Sequence, residues 1–460
     1  MSTGRALFYI DVAVMLVVWP VLLHFGCWGV ECFRPTPDGL AAALYPVADL
    51  LSLYALGLYR REAIIQTRES LGRVPLAVSL GAVGTAVLLV VLGTAIGSPS
   101  NRVRLFSGAV LGFSLSGLVA RLVFSGLKRR GVFQRRLLIV GAGIRAWDLL
   151  CMLRNEGSRP TYDIHYVHAD EMGEADPRLV AATGPGITIL YDTDVLTAAR
   201  RVAPDEIVVA PDERRGMPLD RLLACKKEGF PVVQYLTFLE HEIRRVDVRR
   251  VEVGWLLYSS GFYFGTIDNA LKRTLDVLVS VVLLVVFSPF LMGAAIAIKL
   301  DDRGPVLYSQ ERVTRGEDHF RIYKMRTMRT DAEKFGAVWA EARDPRITRV
   351  GRFLRQTRID EMPQLINVLR GDMSLVGPRP ERPNFVEQLA GQLPLYNERH
   401  LVKAGLTGWA QINYPYGASL DDARSKLSYD LYYVKNFSIL FDLLILLQTL
   451  RVVLWPSGAR

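Results

Sequence analysis

Four long apolar runs in the first 130 residues constrain this chain more than any other feature. They lie at about 7–26, 39–59, 75–97 and 104–126, each near the roughly 20 residues a helix needs to cross a hydrocarbon core. Such runs can satisfy their backbone polar groups in lipid only as helices here, so they predict a bundle of four transmembrane helices. Asp11 and Asp49 fall inside the first two runs. An isolated acid is costly in lipid and turns toward the bundle interior, so both are expected to be packing residues. Loop charge sets the orientation. Arg60, Arg61, Arg68 and Arg73 come after the second run, and Lys128, Arg129, Arg130, Arg135 and Arg136 after the fourth. The loop at 31–38 has only Arg34, and the one near 98–104 has two arginines. The positive-inside bias then puts both ends of the bundle, and the chain beyond Arg129, in the cytoplasm.

Half of the 460 residues are hydrophobic and the formal charge is +10. In a chain with membrane runs, that charge points to anionic lipid, phosphate-bearing substrates and topology, and no nucleic acid is expected. The four cysteines, Cys27, Cys32, Cys151 and Cys225, form neither a CxxC pair nor a cluster with histidine, so no structural zinc is expected. Cys27 and Cys32 are read as free thiols, a bridge between them staying open. The first run lacks a small-residue cleavage site and is read as a retained span.

Residues 136–146 read RLLIVGAGIRA. An apolar strand runs into Gly141 and Gly143 and then a helical pattern, with Ala146 small enough for close packing. This predicts a Rossmann-like α/β domain over 131–250, with Gly141 and Gly143 as possible nucleotide-binding residues. Further strands are expected at Tyr162 to Val167, Glu206 to Ala210 and Phe230 to Gln234. The acid that would confirm a dinucleotide site is not convincing, so a purely structural domain stays open. A linker is expected at 251–265.

The run from Val277 to Ile298 is long enough to span, but Ser288-Pro289 interrupts it midway, because proline lacks a donor and clashes with the preceding turn. Both flanks are basic, with Lys272 and Arg273 before it and Lys299 and Arg303 after it. A re-entrant helix-break-helix at 274–299 is expected, returning the chain to the side it left. The apolar segment from Phe437 to Trp455 is read as a membrane-associated helix.

Between these membrane elements lie the residues with chemistry. Gln310, Arg312, Arg315, Lys324 and Arg326 alternate along strand-like stretches and suit a diphosphate. Asp360-Glu361 precedes Pro363, which fits the first turn of a helix. An acid at a helix start is held ionised by free amides and the helix dipole, as a nucleophile requires, and a neighbouring Glu361 can hold Mg2+. Capping and surface ion pairing is the competing reading.

The strings KRTLD, GPVLYSQERVTRG, YKMRTM, DPRITRVGRFLRQTRIDEMPQLINVLRGDMSLVGPRPE and AGLTGWAQIN together resemble the bacterial sugar transferase family, the monotopic polyprenyl-phosphate glycosyl-1-phosphate transferases. The resemblance to the catalytic unit covers about 266–460, and the preceding parts resemble the long form of the family found in exopolysaccharide biosynthesis. It implies a membrane protein of α plus α/β class, with a mostly helical catalytic domain facing the cytoplasm of the bacterial inner membrane. It implies that Asp360 attacks the β-phosphate of a UDP-sugar, that Glu361 works with Mg2+, and that polyprenyl (undecaprenyl) phosphate receives the sugar 1-phosphate while UMP leaves. Arg379, in Pro378-Arg379-Pro380, becomes a phosphate-binding candidate, as do Arg358 and the pair Lys272-Arg273. Membrane lipids are implied partners, and a homodimer is open for the long forms. Ala404 stands where the family has proline, which removes no chemical group. Direct transfer in a ternary complex, a non-enzymatic lipid-linked-sugar binding or flipping protein, and a nucleotide-sensing oxidoreductase are the alternatives.

Overall fold

The structure is a computed structural model. It describes residues 3–26, 37–59, 67–91, 99–129, 134–155, 162–168, 174–191, 194–212, 217–249, 251, 261–262, 265–330, 344–414, 417 and 419–454. Cys27, Cys32 and the arginines Arg34, Arg60, Arg61 and Arg130 lie outside the described residues. The chain divides into two compact units, Met1–Phe238 and Leu239–Arg460.

The first unit begins with helices Thr3–Gly26, Pro37–Ala55, Thr67–Val91 and Pro99–Arg129. By length and composition, Leu71–Val90 and Phe106–Leu127 could each cross a membrane, while the apolar cores of the first two, Ala6–Val21 and Ala43–Ala55, are shorter. Leu16, Val17, Val87, Val90, Leu111 and Leu115 are exposed, an outward apolar surface that suits lipid. The two acids differ. Asp11 pairs with Arg121 at 3.3 Å, both buried, and Arg121 also donates to the Gly117 carbonyl at 3.0 Å. Asp49 is fully buried beside Gly81, and neither of its carboxylate oxygens has a hydrogen-bond partner among the described residues.

Five parallel strands come next: β1 (Arg135–Val140), β2 (Tyr162–His168), β3 (Ile187–Tyr191), β4 (Glu206–Val209) and β5 (Val232–Gln234). They form one sheet in the order β3-β2-β1-β4-β5. β1 is central: Leu138 pairs with His165 on one side and Ile207 on the other. Leu137, Leu138, Ile139 and Val140 are all fully buried, as expected for a parallel strand covered on both faces. Order reverses between β1 and β4, the topological switch point of a doubly wound sheet.

In the second unit one helix, Thr266–Asp302, runs 37 residues, about 55 Å at ~1.5 Å per residue. It continues through Pro289, where the sequence predicts a break. Proline withholds the donor that Val285 O would receive, and the Ser288 hydroxyl donates to that carbonyl instead, at 2.8 Å. The middle of the helix is bare, with Val285, Val286 and Phe290 exposed. Its ends are not. Asp276 accepts from Ser374 Oγ at 3.1 Å and Leu375 N at 2.9 Å, while Asp302 pairs with Arg326 and Ala294 and Ile298 pack on Met325 and Leu354.

An antiparallel hairpin of β6 (Leu307–Val313) and β7 (His319–Met325) leaves the far end of this helix. Helices Arg349–Thr357 and Gln364–Arg370 complete the frame of the site. Strands β8 (Ser374–Val376) and β9 (Gly405–Thr407) pair in parallel. Gly405 is obligatory here because a Cβ would collide with the backbone amide of Gly377. The core gathers Leu365, Val368, Met373, Leu375, Trp409 and Tyr433 against Val279, Leu283 and Leu284 of the long helix.

Candidate active site

Asp360 and Glu361 sit on a short 3-10 turn, Ile359–Glu361, between helices Arg349–Thr357 and Gln364–Arg370. The turn is forced by Arg358, which ends the first helix in the left-handed region at φ 60°. A non-glycine residue held there costs free energy and persists only where the surroundings over-determine it. Asn367 supplies part of that support. Fully buried on the second helix, it accepts from Tyr323 N at 3.0 Å and donates to Arg321 O at 2.8 Å, fastening the helix to β7.

Glu361 is buried within a cage of cations. Lys324 Nζ donates to Glu361 Oε1 at 3.0 Å and Arg379 Nη2 donates to the same oxygen at 2.9 Å. Arg358 Nη1 stands 4.0 Å from Oε2. These cations outweigh burial and hold the Glu361 carboxyl well below the usual carboxylate range. Lys324 is held below the ordinary lysine value, mainly by its own burial.

Asp360 differs. Burial first, and the Glu361 charge second, push its pKa up to about 6. Its Oδ1 is buried with no hydrogen-bond partner among the described residues. Lys324, Arg355 and Arg358 oppose the shift without cancelling it. The sequence predicts an acid kept ionised by a helix start, but in the fold burial dominates. Asp360 is therefore a carboxylate with an uncompensated oxygen, ionised at neutral pH and protonated below about 6. Its neighbour is permanently charged, so two adjacent acids have environments that push their pKa values apart.

The hairpin brings further groups. Tyr308, Gln310 and Arg312 share one face of β6 by strand alternation, and Tyr308 lies opposite Lys324. Gln310 Nε2 donates to Tyr308 OH at 3.0 Å and Arg312 Nη2 to Gln310 Oε1 at 2.8 Å. Burial and the nearby Arg379 and Arg382 lower the Arg312 pKa, with Glu381 opposing. Gln310, Arg312, Lys324, Arg358, Arg379, Asp360 and Glu361 thus line one connected region.

Other sequence-predicted residues are placed elsewhere. Lys272 Nζ donates to Asp442 at 2.6 Å and Val376 O at 3.0 Å. Arg273 caps the C-terminus of helix Gln364–Arg370 through Val368 O at 2.5 Å and Leu369 O at 2.6 Å. Arg326 faces Asp302, and Arg315 is exposed at the hairpin turn. Ser288 and Pro289 lie mid-helix. The motifs alone do not single out Tyr308, although β6 alternation points to it. Nor do they give a role to Arg399 or Asp430, for which no local pattern exists.

In the parallel sheet, Gly141 takes φ 107°, and a Cβ on Gly143 would run into the Asp212 carboxylate. Asp212 accepts from Ile144 N at 2.5 Å and Arg145 N at 2.8 Å.

Comparison with known proteins agrees with this architecture. The family model described as bacterial sugar transferase matches residues 267–456. The exopolysaccharide production protein PSS of Rhizobium leguminosarum bv. phaseoli is 42% identical over 191 residues, 40% of this chain and 94% of that protein. The UDP-glucose:undecaprenyl-phosphate glucose-1-phosphate transferase of Caulobacter vibrioides is 41% identical over 190 residues, 41% of this chain and 71% of that one. The UDP-N-acetylgalactosamine-undecaprenyl-phosphate N-acetylgalactosaminephosphotransferase of Aeromonas hydrophila is 43% identical over 245 residues, 52% of this chain. The match spans 56% of that relative's length. The chain belongs to the bacterial sugar transferase family.

Proposed function

We propose that this protein transfers a sugar 1-phosphate from a UDP-sugar to undecaprenyl phosphate, releasing UMP and starting a glycan such as an exopolysaccharide. The observation that carries the reading is Asp360, a buried carboxylate with a free oxygen among cations, inside the family segment. Names of relatives acting on UDP-glucose and undecaprenyl phosphate support the substrate classes.

In this reading Asp360 Oδ1 attacks the β-phosphorus of the donor, and the P–O bond to the UMP portion breaks. The lipid phosphate oxygen then attacks the same phosphorus and the Asp360–phosphorus bond breaks, leaving the sugar's C–O bond intact. Arg379, Lys324, Arg358 and Arg312 bind phosphate oxygens and offset the charge that develops on the leaving UMP. The hairpin face of Tyr308, Gln310 and Arg312 orients the diphosphate.

Mg2+ fits Glu361 Oε2, a hard oxygen that Arg358 Nη1 approaches only to 4.0 Å, and Asp360 Oδ1 then stays free for the attack. Mg2+ keeps most of its waters and needs one or two carboxylates beside substrate phosphates. Bound there, it would neutralise phosphate charge.

The long helix is read as re-entrant, bending at Pro289 while its helical run carries through. Both of its ends fasten to the same unit, at Ser374 and Leu375 and at Arg326, while its bare middle offers the lipid-facing surface. A helix crossing the bilayer would carry its ends to opposite sides. The first four helices are read as four spans of the inner membrane, with the site in the cytoplasm.

Incubating purified enzyme with a UDP-sugar and Mg2+ but no lipid is expected to release UMP, up to one equivalent per enzyme, and to add the mass of a phosphosugar to the peptide containing Asp360. Release that strictly requires undecaprenyl phosphate, with no adduct, would establish direct transfer in a ternary complex.

A further inference from the structure

Arg379 reaches Glu361 from a loop whose backbone is held at every step. Pro378 O accepts from Gly405 N at 2.9 Å, Arg379 O from Arg399 Nη2 at 2.9 Å, Pro380 O from Arg312 Nη1 at 3.0 Å, and Glu381 O from Val313 N at 3.0 Å. Two of these donors are backbone amides belonging to β6 and β9. Arg312 is one of the residues lining the site. Arg399 is none of these. It is 5% exposed, and its other bonds go to Tyr396 OH at 2.8 Å and Asp430 at 2.8 Å. Asp430 is itself buried, on helix Leu420–Lys435. Burying an arginine in a core is costly unless its donors are met. Here Nη1 is met by Tyr396 and Nη2 by Asp430 and the Arg379 carbonyl, while Nε has no partner among the described residues, so the fork is fixed in place by these three contacts.

We propose that Arg399, held by Asp430 and Tyr396, is a positioning residue that sets the Arg379 backbone so that its guanidinium meets Glu361 and the donor phosphates. The proposal rests on the function proposed above. A displaced Arg379 gives up its contact with Glu361 Oε1 and no longer points at the donor phosphates.

The test uses the full chain in membranes, with UMP release as readout. Arg399 without its charge would strand Asp430, so the informative variants are Arg399→Lys and the pair Arg399→Gln/Asp430→Asn. The paired variant is expected to lose about 10- to 100-fold in kcat, the scale of a misplaced catalytic group, with little change in donor KM. Arg399→Lys should recover part of the rate. In an Arg379→Ala background the same pair of changes should cost nothing further. Effects that multiply in that background, or no recovery by Arg399→Lys, would overturn the proposal. Turnover by Asp360→Asn would instead overturn the underlying function, so the two failures are separable.

A second inference comes from the parallel sheet. The first amides of helix Ile144–Asn155 sit at the switch point between β1 and β4, where dinucleotide-binding sheets hold a pyrophosphate. In this chain both are taken by Asp212, from the turn after β4. We infer that Asp212 is a built-in substitute for that phosphate, leaving the Gly141-Gly143 turn as a structural closure of the sheet. The purified full-length protein should show no saturable NAD binding. Asp212→Ala should melt about 2–4 °C lower, the loss of one cap, and inorganic phosphate should restore the melt in the variant while leaving the parent unmoved. Asp212→Asn should fall between the two. NAD binding by the parent, or a variant indifferent to phosphate, would overturn it.

Discussion

Asp360→Asn is expected to lower UMP release by about 1,000-fold or more, the scale on which removing a nucleophile acts, and to abolish the phosphosugar adduct. The substitution is nearly isosteric. Asp360 Oδ1 has no partner to lose, and burial already raises the pKa of the native group, so replacing a costly buried charge with a neutral amide should leave the melt unchanged or higher. Lost stability therefore cannot explain lost rate. Asn has no anionic oxygen to form the bond to phosphorus, and the cations around Glu361 remain in place to bind the donor. Donor KM should accordingly change little while kcat collapses, which is the signature of an interaction made only in the transition state. An Asp360→Asn enzyme within tenfold of the parent rate would remove Asp360 from the chemistry.

The features legible in the sequence are those written in local pattern. A continuous apolar run ending in Gly141 marks β1, the strands at Glu206 and Val232 lie where short apolar segments stand, and the one at Tyr162 is found although His165 and Asp163 make it poorly apolar. Strand β3 carries a run, ITILY, as apolar as its neighbours', but a run of five residues between polar turns does not by itself tell a strand from a buried helix turn. The interruption at Ser288-Pro289 promises more than the fold delivers: proline's missing donor is real, but the adjacent serine hydroxyl serves the same carbonyl. Side-chain partnerships over long separation leave no trace. Asp212 meets a helix start 68 residues away, and Arg399 reaches Asp430 across 31. Composition and spacing carry no information about such pairs, because any acid in a turn looks the same until the fold delivers it. Lys272 and Arg273 show the reverse limit. Two cations before a membrane helix look like phosphate ligands, yet in the fold they meet Asp442 and protein carbonyls.

Glu361→Gln should separate rate from ionisation. In the native protein the attacking group must be unprotonated, so kcat/KM is expected to be flat above the Asp360 pKa of about 6 and to fall tenfold per pH unit below it. Glu361 cannot contribute that limb, because its cations keep it charged throughout. Glutamine removes the second largest cause of the Asp360 shift while burial, the first, stays. The acidic limb should therefore move to lower pH without reaching the value of an exposed aspartate. The rate should fall all the same, by about 100-fold, because Lys324 and Arg379 lose the carboxylate oxygen that orients both of them. If Mg2+ binds through Glu361, raising its concentration should recover part of this loss, since an amide oxygen is a weaker ligand than a carboxylate but still a ligand. An acidic limb that stayed in place would mean that Asp360 does not sense Glu361, and the limb would belong to another group.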